Sequence, residues 1–142
     1  MKLMTSSIPE ELLHKFTHYY SKRDMESILS LFSKDATMFG TGRDEYRVGT
    51  QQIKDQLERD WSQSEAGSLR LKRHLHSSKD GISWGASVFE AEITIDGTPH
   101  IFDNLRGSVF IEKDDSGEYK ISHMHASFPD TEQAEGSSFK EV

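Results

Sequence analysis

Two histidine pairs with one residue between them, His74/His76 and His123/His125, are the groups in this chain whose type and spacing could do chemistry. Residues two apart in a strand share a face, so His123 and His125 would place two imidazoles about 7 Å apart on one side. Tyr119, Ile121 and Ser127 fall on the same phase. An imidazole poised near neutrality can bind an anionic or carbonyl group and can move a proton as acid or base. Arg106, on the neighbouring predicted strand, adds a fixed cation. Because the aliphatic side chain of Ile121 belongs in a core, the shared phase predicts that this face is the concave, pocket-facing one. The catalytic candidates are therefore His123 and His125. The ligand-binding candidates are His123, His125 and Arg106, with Tyr46 at the rim of the pocket and Trp84 in its wall. The competing role for each imidazole is structural, as the partner of a buried backbone group or carboxylate. For Arg106 it is an ion pair with Asp103 or a surface Glu.

Other chemistries find less support. His74 or His76 could join His123 and His125 to hold zinc, but no Asp or Glu stands at a supporting spacing, and no metal is expected. The chain has no cysteine, which removes thiolate ligands, disulfides and a Cys nucleophile. Gly40 to Tyr46 lacks the lysine of a phosphate-binding loop, so Asp44 and Glu45 are read as caps for loop or helix backbone. No serine sits in a nucleophile elbow. No cofactor is expected.

The rest of the composition bounds the setting. At 142 residues, 34% hydrophobic and 29% charged, the chain fits one domain over 1–142, with a core over about 8–129 and a polar tail over 130–142. A formal net charge of −7 disfavours nucleic acid. The one basic run, Arg70-Leu71-Lys72-Arg73-His74, alternates as a solvated sheet face would. Met1 to Ser7 has no apolar run fit for a signal peptide, and no stretch reaches the roughly 18 apolar residues of a membrane span. With no cysteine, a soluble, cytoplasmic protein is the expectation.

These residues need elements to position them. Ser7-Ile8-Pro9-Glu10 has the spacing of a capping box, and Leu12, Leu13, Phe16, Tyr19 and Tyr20 follow at helical spacing. Asp24 is placed to cap a second, short helix carrying Met25, Ile28, Leu29 and Phe32. A short strand at Ala36–Phe39 precedes a third helix that starts at Gly49-Thr50 and buries Ile53, Leu57 and Trp61. From Ser68 to Phe128 the pattern is strand, divided by Lys79-Asp80-Gly81, Asp96-Gly97 and Asp114-Asp115-Ser116-Gly117 into a four-stranded antiparallel meander. In Ile82–Ile95 the apolar residues fall at even positions up to Val88 and at odd positions from Phe89. That switch predicts a β-bulge and a bend there. Three helices cover one face of such a sheet. The apolar residues of the other face predict a homodimer joined through the convex surface.

Two stretches resemble a known family. Asp24-Met-Glu-Ser-Ile-Leu-Ser-Leu-Phe-Ser-Lys-Asp-Ala-Thr37 is similar to a segment of nuclear transport factor 2-like proteins. Gly40-Thr-Gly-Arg-Asp-Glu45 with Gly49 and Ile53 resembles the SnoaL-like branch, as does the ending Gly117 to Ser127. That ending also resembles the association domain of calcium/calmodulin-dependent protein kinase II. The resemblance implies an α+β cone, three N-terminal helices on a strongly curved antiparallel sheet, over roughly residues 8 to 129. It implies either a small-molecule site, acting as isomerase, cyclase or dehydratase on a carbonyl- or carboxylate-bearing ligand, or a non-catalytic dimerisation and assembly module. Carried over from Asp24, the base and oxyanion tyrosine of the ketosteroid isomerase relatives fall on Gly40 and Phe16. Neither can do that work, so that mechanism is not expected here.

Overall fold

The computed structural model describes residues 7–140. Helices α1 (Ile8–Lys22), α2 (Met25–Leu29) and α3 (Thr50–Ser62) pack on strands β1 (Phe32–Phe39), β2 (Tyr46–Val48), β3 (Ala66–Lys79), β4 (Ile82–Ile95), β5 (Thr98–Lys113) and β6 (Tyr119–Ser127). The six strands form one sheet in the order β2-β1-β6-β5-β4-β3. This is the α+β arrangement read from the sequence, with one difference: β1 runs parallel to β6, so the sheet is mixed. No tight turn joins those two strands, and nothing local fixes their relative direction. The expectation about a signal peptide falls mainly on residues 1–6, and the end of the tail on 141–142, both outside the described residues. No helix among the described residues is long and apolar enough to cross a membrane.

Local chemistry sets the boundaries. Ser7 Oγ accepts the Glu10 N–H at 3.2 Å, and Asp24 accepts the Ser27 N–H at 3.2 Å and its hydroxyl at 2.7 Å. Each satisfies one of the orphan donors at a helix start. Between β3 and β4, Asp80 and Gly81 take φ 52° and 80°. Between β4 and β5, Asp96 and Gly97 take φ 51° and 78°. Positive φ at both central residues is the type I′ turn whose twist matches a hairpin. Ile28, Ile53, Ile111 and Ile121 are completely buried between helices and sheet.

The curvature comes from bulges, though not in the strand expected to carry one. β4 keeps a single phase: Ser83, Gly85, Ser87, Phe89 and Ala91 are all buried. The inserted residues lie on its neighbours. Lys72 interrupts the pairing of β3, Asp103 and Asn104 interrupt that of β5, and Ser122 interrupts that of β6. Two of these register breaks lie opposite Val88–Glu90, where the sequence pattern changes. The even-numbered apolar residues Ile82, Trp84 and Ala86 are instead exposed on the convex side. The small residues facing inward on β4 make room for α1: a Cβ on Gly85 would stand 3.2 Å from Pro9 Cβ.

Candidate functional site

Between the helices and the concave sheet lies a cavity of about 370 Å³, within the range typical of small-molecule sites. Its wall is mostly apolar, with Leu13, Phe16, Met38, Leu57, Phe89 and Met124 among its residues. Thr41, Gln63, Ile95, Phe102 and Phe128 line it while remaining exposed, and so mark its open end. Apart from Ser108 on β5, the polar residues of the lining gather on one side: Thr41 and Glu45 from the loop before β2, Gln56, Asp60, Gln63 and Ser64 from α3 and its end, and Tyr20 from α1. Among the described residues, Glu45 and Asp60 are the only charged side chains in the lining.

These polar groups form one network. Asp60 Oδ1 accepts from Gln56 Nε2 at 2.8 Å, and Asp60 Oδ2 accepts the Tyr20 hydroxyl at 3.1 Å. Gln56, itself 2% exposed, accepts the Arg47 Nε–H at 2.9 Å through its own Oε1. Burial pushes the Asp60 carboxyl above the ordinary aspartate range, outweighing the donors from Gln56 and Tyr20. Burial also pushes the Tyr20 phenol up, and the neighbouring Asp60 charge adds to the effect. A carboxyl held above its usual range on an apolar cavity is better able to stand as the neutral acid, and so to return a proton as well as take one.

The residues expected to make the site do not line this cavity. The inward face of the end of β6 is Met124 and Ala126, because the Ser122 bulge turns the strand over after Ile121. His123 and His125 are therefore on the convex side, paired across strands with Phe110 and Ser108. There His123 Nδ1 lies 2.7 Å from Thr37 Oγ1, and the Phe39 ring stands edge-on to both imidazoles at 5.2 and 5.4 Å. Burial, then the neighbouring His125, lowers the pKa of His123. The Tyr46 ring lies tilted against Phe39 at 4.7 Å, Trp84 pairs with Phe110, and Arg106 pairs with Val88, all on the same outer face. His74 sits far from this group, its Nδ1 2.8 Å from Ser87 Oγ at the α1 side of the sheet. Among the described residues no three His, Asp or Glu converge as a metal site.

Other expectations meet their counterparts. Glu45 accepts the Gly42 N–H at 2.9 Å, the loop-backbone role expected of it, whereas Asp44 takes both terminal nitrogens of Arg59 at 3.0 and 3.1 Å rather than a backbone N–H. Arg70 and Lys72 approach Glu90 at 3.1 and 3.9 Å on a solvated face. Gly40 and Phe16, where the isomerase base and tyrosine would fall, do line the cavity. One helical turn beyond Phe16, on the same face of α1, stands Tyr20, its ring stacked on Phe16 at 6.0 Å.

A mixed, curved sheet folded with three helices around an apolar cavity is the nuclear transport factor 2-like architecture, also described as the cystatin-like fold. Within it, this chain belongs to the SnoaL-like domain family, whose model matches residues 10–131. No curated protein matches the chain. Among solved structures it is similar to a nuclear transport factor 2-like protein of unknown function from Pseudomonas putida KT2440, at TM-score 0.74 and 14% identity, covering 87% of this chain and 86% of that one. It is similar to a candidate calcium/calmodulin-dependent protein kinase II association domain from Xanthomonas campestris, at 0.76 and 17%, covering 91% and 99%. A candidate scytalone dehydratase from Novosphingobium aromaticivorans DSM 12444 aligns at 0.69 and 17%, covering 82% and 78%. At such identities the likeness extends to the fold.

Proposed function

We propose that the cavity takes a small, neutral, largely apolar carbonyl compound and that Asp60 moves a proton on its carbon skeleton. The observation that carries this reading is Asp60 itself, a carboxyl raised by burial, held by Gln56 and Tyr20, and facing an apolar cavity. Ionised Asp60 would take a proton from the carbon next to the carbonyl, the electron pair moving onto the carbonyl oxygen. The protonated acid would then return that proton to the same or another carbon. Thr41 and Gln63, also in the lining, are donors for the oxygen while it carries charge. Isomerisation, cyclisation and dehydration share this step. A carboxylate-bearing ligand is disfavoured, because two acids and no cation line the cavity.

The test uses 2-tetralone, a bicyclic ketone, as a probe. In D2O at pH 7.5 the protein should accelerate exchange of its C1 protons, read by 1H NMR, and Asp60→Asn should return the rate to background. The bicyclic anion 2-naphthoate, of similar size, should give no thermal stabilisation. Equal exchange with the wild type and Asp60→Asn, or stabilisation by 2-naphthoate alone, overturns the reading.

A second reading concerns assembly in the same single domain. The convex face exposes Tyr46, Val48, Leu75, Trp84 and Phe110 to solvent, an aromatic surface that a monomer would leave wet. A homodimer through this face is proposed, and the association-domain name of the Xanthomonas campestris relative accords with it. Sedimentation should give a dimer at micromolar concentration and a monomer for Trp84→Glu. A monomeric wild type would remove this reading and leave the cavity reading standing. A cysteine-free chain with no membrane-crossing helix among its described residues suits a cytoplasmic setting.

A further inference from the structure

An amide is polar at both ends, and its two ends look alike in shape. Gln56 sits buried between Arg47 on one side and Asp60 on the other. Its Oε1 faces a group that can only donate, the Arg47 Nε–H, and its Nε2–H faces a carboxylate. Turned over, the amide would set NH2 against the arginine N–H and Oε1 against Asp60 Oδ1. Both contacts would then join like with like. Without Arg47, only one of those two clashes would remain to oppose the turn.

We propose that Arg47 is a positioning residue, whose Nε–H fixes the Gln56 amide so that Nε2–H faces Asp60. This rests on Asp60 being the working group of the cavity. Arg47 has the placement for the task. β2 is held to α3 by the Val48 N–H, which donates to Gln52 Oε1 at 2.8 Å. On β1 the partner of Arg47 is Met38, which lines the cavity. The other charged or titratable groups that act on Asp60 are Tyr20 from α1, Glu45 from the loop before β2, and Arg59 one residue earlier on α3. Arg59 is committed to Asp44. None of the three hydrogen-bonds to the Gln56 amide, whose partners are Arg47 and Asp60, so none sets its direction.

The consequence is a proton affinity tuned from a distance. With Nε2–H facing it, ionised Asp60 keeps a donor. With Oε1 facing it, only the protonated acid makes a good hydrogen bond, and ionisation is disfavoured further. Arg47 would thus govern the pH at which Asp60 can accept a proton while touching neither Asp60 nor the cavity.

Two substitutions separate orientation from charge. Arg47→Met removes the donor and the charge. Arg47→Gln removes the charge alone, because its Nε2 occupies the position of the arginine Nε and can still donate to Gln56 Oε1. The Asp60 carboxyl is followed by 13C NMR across pH in the ligand-free protein, its resonance assigned with Asp60→Asn. The expected result is an upward move of the titration midpoint in Arg47→Met and a midpoint near wild type in Arg47→Gln. Equal upward moves in both would show that Arg47 acts through its charge, and no move in either would show that Gln56 holds its direction unaided. Either outcome overturns the proposal. Arg47→Leu is a second donor-free variant should the methionine form not fold. Because no ligand is present, the titration succeeds or fails independently of whether 2-tetralone enters the cavity.

Discussion

Replacing Asp60 by Asn should stabilise the protein while removing its chemistry. The network can survive the change. In Asp60→Asn the new amide oxygen would accept Gln56 Nε2–H as the carboxylate does now at 2.8 Å, and the new amide NH2 would face Tyr20, whose hydroxyl can turn to accept. What disappears is a desolvated charge. Asp60 has a raised folded-state pKa, so the fold favours its protonated form, and its ionisation costs stability as pH rises through that folded value. Below the unfolded value of about 3.9 the wild-type carboxyl is neutral in both states and the penalty is absent. The gain from Asn should therefore open above that pH and reach a plateau above the folded pKa. Relieving strain at a functional site commonly yields about 0.5–2 kcal/mol, which in a domain of this size raises the Tm by about 2–8 °C. Differential scanning calorimetry at pH 8 and pH 4.5 reads both the sign and the pH dependence. A Tm that falls equally at both pH values would refute the reasoning, because Asp60 would then be a structural carboxylate.

Burial lowers the pKa of His123, so its neutral form supports the fold, and that support is complete above the unfolded value of about 6.5 and is lost as pH falls below it. The urea midpoint should fall more between pH 7.5 and 5.5 in the wild type than in His123→Gln, and an equal fall in both would refute the reading. Ile53 has no exposed surface and packs in the core beneath α3. Ile53→Ala should cost about 2–5 kcal/mol in urea unfolding, and a loss under about 1 kcal/mol would mean that the site collapses around the smaller side chain.

The fold was legible because its signals are local. Ser7 and Asp24 cap helices, the Asp-Gly pairs turn hairpins, and the stripe of Ile53 and Leu57 faces the core, each through contacts within a few residues. The site was not, for two reasons. Phase along a strand is a running count, and one inserted residue reverses everything after it. Ser122 did this to His123 and His125, although Ile121 followed by Met124, Ala126 and Phe128 carries a phase switch of the same kind as the even-to-odd one on β4. On β4 the switch had another cause, a convex face that is itself apolar. The true polar cluster was hidden by its company. Gln56 and Asp60 stand four apart beside the apolar row of α3, a spacing that places them on one face, while Tyr20 reads as one more member of the stripe on α1. Their meeting, and the role of Arg47 from a three-residue strand, depends on how the helices pack.

The central claim is that the cavity admits a neutral apolar ligand, and its own methionines can report on this. Met38 and Met124 line the cavity, whereas Met25 lies on α2 and does not. In protein labelled with 13C at the methionine methyls, titration with 2-tetralone should shift the Met38 and Met124 signals along one saturable curve and leave Met25 in place. Cavity signals that stay still while the ketone is present, or a Met25 shift that matches theirs, would contradict the account.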